Sequence, residues 1–126
     1  MVHFNVKVPE KVIAAKFFRL PSGREPARDW LLGLRAEDRK VAGQDVMAVE
    51  FGWPCGEPLC KSIVNYAGLF EVRSNLPGKQ IARVFFYVSE KDMVLLHGFI
   101  KKSQTTPQKD LKLASRRMKE HERNGQ

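Results

Sequence analysis

Val2, Phe4, Val6 and Val8 alternate with His3, Asn5 and Lys7. A period of two predicts a half-buried strand, and Pro9 ends it. VIAAKFF (12–18) is nearly continuous in apolar residues, which predicts a strand buried on both faces, pairing with the first across the PEK turn. In SGREP, Ser22 and Glu25 have capping-box spacing and Pro26 suits a first helical turn. Ala27, Trp30, Leu31 and Leu34 then fall on one helical stripe, with Trp30 a core residue, and the helix stops near Gly33. A second helix spans 36–50, with Val41, Ala42, Val46 and Val49 inward. FGWPCGEP (51–58) is a turn-rich loop. LFEVRS (69–74), ARVFFYV (82–88) and MVLLHGFI (93–100) are rich in β-branched and aromatic residues and read as strands. The short links between them make antiparallel neighbours. Thr106 can cap a last helix with Pro107 at its first position and Leu111, Ala114 and Met118 on its apolar face. The order predicts an α+β fold: a mainly antiparallel sheet packed with N-terminal helices and a C-terminal helix.

At 126 residues the length fits one domain, 1–126, able to bury a core without disulfides or metal. No apolar run reaches the span of a membrane, and no apolar leader opens the chain, so a cytoplasmic protein without membrane contact is expected. Cys55 and Cys60 lack nearby histidines and read as free thiols in a loop. P-loop, GxGxxG, HExxH and GxSxG motifs are absent, and His3, His97 and His121 are scattered, so no metal or cofactor is called for.

Charge changes the picture more. Residues 1–100 hold 14 basic and 11 acidic side chains, net +3, whereas residues 101–126 hold 8 and 3, net +5. A cationic end on a nearly balanced chain suits a polyanionic partner, although a solvated helix face or an acidic protein partner gives the same tally.

Strand parity places side chains on faces. Phe70, Val72, Val84, Phe86 and Val88 fall toward the helices, leaving Glu71, Arg73, Arg83, Phe85 and Tyr87 on a second, more polar face. Unpaired charges inside central strands are expensive to bury. That face is therefore either a solvated groove or a place where Glu71 neutralises an arginine as a structural pair. Lys101 and Lys102 leave the last strand at the same sheet. Arginine forks and lysine point charges suit phosphate, and Tyr87 and Phe85 are either stacking platforms for bases or ordinary packing.

Five stretches in order, SGREPARDWLLGL, FGWPCGEPLCKSI, GLFEVRS, ARVFFYV and VLLHGFIKKSQTTPQKDLKLASRRMKE, cover roughly residues 12–120. Together they resemble the RelE/HigB superfamily of toxins from bacterial toxin–antitoxin modules, in its phage-derived, HigB-like branch. The resemblance implies a RelE/ParE-like domain and an endoribonuclease that cuts mRNA on the ribosome without a metal. Attack of a ribose 2′-OH on the adjacent phosphate is the chemistry implied, and a cognate helix-turn-helix antitoxin is the implied partner. A gyrase-inhibiting toxin of the ParE type and a non-catalytic basic nucleic-acid- or partner-binding module are the alternatives.

The resemblance assigns Arg83 and Lys102 to charge stabilisation, with Lys101 beside the latter, and Arg73 to phosphate anchoring or proton transfer. Lys61, Lys79, Lys109, Arg116, Lys101 and Tyr87 complete the candidate RNA-binding set. Two departures stand out: Glu71 occupies a position that is basic in some RelE-type enzymes, and a C-terminal tyrosine used by some is missing. The general base and acid are left open, with Glu71 and His97 as candidates; a structural role for His97 is the competing reading.

Overall fold

A computed structural model describes residues 9–102 and 107–124. Its elements run β1 (Ala14–Phe17), α1 (Pro26–Leu32), α2 (Ala36–Gly52), β2 (Cys60–Ser62), β3 (Phe70–Asn75), β4 (Ile81–Ser89), β5 (Asp92–Lys101) and α3 (Gln108–Arg123). The strands form one sheet in the order β1-β5-β4-β3-β2. β1 lies parallel to β5, and the other neighbours are antiparallel. The α+β, RelE/ParE-like architecture follows, with α1 and α2 on one face of the sheet and α3 on the other.

The two faces are built by strand parity. Val72, Val84, Phe86 and Leu95 pack under Ala27 of α1 and Val46 and Val49 of α2. Phe85, Tyr87, Val94 and Leu96 pack under Leu111, Ala114 and Met118 of α3. Adjacent residues Phe85 and Phe86 are both fully buried, one in each layer. Burying a side chain of that size stabilises the fold by roughly 1.5–3 kcal/mol.

A β-bulge adjusts the last strand. Phe85 pairs with His97 but Phe86 pairs with Leu95, so Leu96 is the extra residue. The bulge leaves the Leu96 carbonyl outside the ladder, and the Arg117 guanidinium of α3 donates to it at 2.8 Å. Past the bulge, Gly98 faces α1, where the Trp30 ring lies so close that a Cβ would overlap it. At the sheet edge, the buried Glu50 carboxylate at the end of α2 accepts from the Ala15 N–H at 2.7 Å and holds β1 in place.

Several local expectations are corrected. Ser22 and Glu25 do not form a capping box: Glu25 is the N-cap of α1 without a side-chain cap, and the Ser22 hydroxyl accepts from the Arg24 N–H two residues on. Pro107 is the N-cap of α3 rather than its first residue, and Thr106 and the strand expected over 2–8 lie outside the described residues. The 12–18 segment contributes only β1, with Val12 exposed, and its partner is β5. Val41 is half-buried rather than inward. β2 was not expected; three residues are too few to carry a periodic signal. Among the described residues no helix is long and apolar enough to cross a membrane.

Candidate active site

α3 covers only part of its face of the sheet. Toward the β3–β4 turn the register lays out two cross-strand rows: Glu71–Phe85–His97, then Arg73–Arg83–Phe99. Successive residues of one strand face opposite ways, so Glu71, Arg73, Arg83 and Phe99 share this face. The Phe85 ring fills the middle of the first row and seals it against α3. The second row sits beside a small cavity of about 70 Å³ lined by Glu57, Pro58, Leu59, Lys61, Glu71, Arg73 and Arg83. The loop before β2 supplies one wall, fixed by the Arg73 N–H donating to the Leu59 carbonyl at 2.8 Å.

Glu71 and Arg83 are both almost wholly buried. Arg83 Nη1 donates to Glu71 Oε1 at 3.1 Å, and Lys61 Nζ lies 3.5 Å from the same oxygen. Glu71 Oε2 and Arg83 Nε have no hydrogen-bond partner among the described residues. Arg73 stands directly across from Arg83, an arrangement of like charges that is unfavourable unless something neutralises it. Glu71 does so. Burial lowers the Arg83 pKa, Arg73 adds to that, and Glu71 opposes it; the guanidinium stays cationic. The two sequence readings of this face thus both hold in part. Glu71 forms a buried pair with Arg83, while Arg73 and Lys61 line the small cavity beside it.

Lys101 ends β5 on the same parity as Phe99 and is half-buried. Its pKa is lowered first by burial and next by Arg83, with Lys61 and Arg73 adding and Glu71 opposing. Lys102, the residue expected to carry charge stabilisation, follows the strand and is exposed. By strand alternation, the face that holds Arg83 receives Lys101.

The remaining candidates scatter. His97 Nε2 meets Asp110 Oδ1 at 2.6 Å, and its ring stacks against Phe85 and Phe99. Burial lowers the His97 pKa, and Asp110 offsets that only partly. The histidine links β5 to the first turn of α3, and Phe85 stands between it and Glu71. Tyr87 is corrected outright as a stacking platform: it is buried under α3 and its hydroxyl is hydrogen-bonded to His121 Nδ1. Phe85 is buried packing as well. Lys79 is exposed in the β3–β4 turn, beyond Arg73 and Arg83, in a left-handed conformation. Lys109 and Arg116 are exposed on α3, where Lys112, Lys119 and Arg123 extend them into a stripe at three- and four-residue spacing. Asp110, His121 and Arg117 were missed as partners, because sequence spacing carries no signal for contacts between a helix and a sheet.

Residues 29–119 match the family described as Phage derived protein Gp49-like (DUF891). The chain belongs to this Gp49-like family. The match runs from α1 through most of α3 and includes every residue of the cavity. A comparison with curated proteins gives no match. In this Gp49-like chain Cys55 and Cys60 are free thiols. Cys60, however, lies in β2 rather than a loop, and burial above all, then Cys55, pushes its pKa well above the usual thiol range. It is therefore poorly suited to act as a nucleophile. Among the described residues no three His, Cys, Asp or Glu side chains are grouped to hold a metal ion.

Proposed function

We propose that this Gp49-like chain is the toxin of a toxin–antitoxin module, an endoribonuclease that cuts mRNA on the ribosome in the cytoplasm. One observation carries the reading. Four cations, Lys61, Arg73, Arg83 and Lys101, gather on one side of the sheet around a single buried carboxylate, Glu71. A cluster with that excess of positive charge suits a phosphodiester whose charge grows as it reacts.

In the reaction, the ribose 2′-oxygen bonds to phosphorus and the bond from phosphorus to the 5′-oxygen breaks. A proton leaves the 2′-OH and another reaches the 5′-oxygen, giving a cyclic phosphate and a 5′-OH. Arg73 and Arg83 stabilise the phosphorane. Lys101, its pKa lowered by burial and neighbouring cations, takes the 2′-proton, since a lysine made less basic is more readily neutral. Lys61 supplies the proton to the leaving oxygen. Glu71 is a positioning residue that holds Arg83. Lys102 and Lys79 extend the cationic rim, and the α3 stripe with Lys109 and Arg116 gives the message or ribosome a second contact.

The test is induction in cells. Expression should halt growth and leave cut messages, Arg73→Ala should abolish both, and a helix-turn-helix protein encoded beside the gene should rescue growth. Arrest with intact messages overturns the nuclease reading and favours the gyrase-directed alternative. Harmless expression with retained RNA binding favours a non-catalytic module.

A further inference from the structure

Beside the cavity, across Arg73, lies a broader trough of about 330 Å³ lined by Val41 and Asp45 of α2, Pro58 and Leu59 of the loop, and Arg73 and Asn75 of β3. Arg73, Pro58 and Leu59 line both hollows, so the two are contiguous. The trough combines three chemistries. Pro58, Leu59 and Val41 give it apolar walls. Arg73 gives it a cation at the boundary with the cavity. Asp45 and Asn75 give it a carboxylate and an amide.

Asp45 and Arg73 line the same trough, and no ion pair among the described residues joins them. An opposite pair left apart in this way can hold two ends of one ligand. The ligand would have an anionic group for Arg73, a flat apolar body for Leu59 and Pro58, and a donor edge for Asp45. A nucleotide has that composition. Among the bases, guanine presents two adjacent donors, N1–H and the N2 amino group, to a carboxylate with two acceptor oxygens. Its O6 beside them accepts from the Asn75 amide. Adenine would set its N1 lone pair against Asp45, while uracil and cytosine offer one donor next to an acceptor.

We propose that the trough between α2 and β3 is a nucleobase subsite in which Asp45 selects guanine next to the phosphate held by Arg73. The proposal rests on the nuclease reading for its biological meaning, but the subsite binds by its own chemistry. A bidentate base contact is worth about tenfold in preference.

Two measurements separate the claims. First, the protein is titrated with guanosine, adenosine, cytidine and uridine 3′-monophosphates. Guanosine monophosphate should bind about tenfold more tightly, Asp45→Ala should level the four, and Arg73→Ala should weaken all four alike. Thermal melting of each variant checks that α2 is intact. Equal binding of the four, no binding of any, or a guanine preference that survives Asp45→Ala overturns the subsite. Second, cut sites are mapped on RNAs of random sequence. Cuts beside guanine that redistribute in Asp45→Ala support both readings. Cutting without base preference leaves the nuclease and removes the subsite; guanine binding without cutting does the reverse.

Discussion

Removing Glu71 leaves Arg83 as a buried cation facing a second guanidinium. Breaking a buried pair by deleting one partner costs about 3–5 kcal/mol, whereas replacing both by apolar side chains is often near neutral. Glu71→Ala should therefore lower the denaturation midpoint severely, and Glu71→Met with Arg83→Met should recover most of the loss while remaining inactive. A single variant as stable as the parent would show that Glu71 is not what offsets the Arg83 charge. Buried His121 and half-buried His97 make stability depend on pH as well. Burial holds both His97 and His121 below the usual histidine value of 6.5. Each takes up a proton less readily in the fold than when unfolded, so the unfolded state binds more protons below that pH. Their contribution is complete above about 6.5 and is lost as pH falls through the folded values. Unfolding followed across that range should show stability declining on acidification, and less steeply in the His97→Gln, His121→Gln double variant; an unchanged slope would contradict this.

Strand β5 is the element on which the site depends, because its bulge decides which way Lys101 faces. Gly98, just past the bulge, is pressed against Trp30. Gly98→Ala should cost about 1–3 kcal/mol through overpacking, and Trp30→Leu should relieve that cost in the same background. A full penalty in both backgrounds, measured by denaturation, would locate the strain elsewhere. Alternation along β3 and β4 was enough to sort Phe70, Val72, Val84 and Phe86 from Glu71, Arg73 and Arg83, because those strands keep an unbroken period of two. The bulge was not legible, since an extra residue leaves the apolar run VLLH unchanged in character. For Phe85 and Tyr87 the sequence left ordinary packing and base stacking both open; parity assigned them a face, but only the docking of α3 closes their half of it and decides for packing. Lys102 stands exposed just past the strand end while Lys101 is half-buried, a difference that parity at a strand end does not show in the sequence; Glu71 as an arginine's partner was among the readings left open.

At the scale of the molecule, charge is arranged around the open half of the second face. The cavity cations lie at one end, Lys79 stands in the turn beyond them, and the α3 stripe runs along the outer side of the helix that closes the other half. The sequence showed this as an excess of positive charge after residue 100. Strand parity added Arg73 and Arg83 to it, but pairing of Lys61 with Glu71 depends on β2, which carried no signal in the sequence. The central claim is that this field cuts RNA by 2′-OH attack. The measurement that bears on it most directly is analysis of the RNA ends left when purified protein is added to translating ribosomes. Arg73, half-buried and outside the Glu71–Arg83 pair, can be changed to alanine without opening the core, so that variant serves as the control. The account predicts fragments with 5′-OH and cyclic or 3′-phosphate ends from the parent, and at least about a hundredfold less from Arg73→Ala. Intact messages at enzyme excess, or fragments with 5′-phosphate ends, would contradict it.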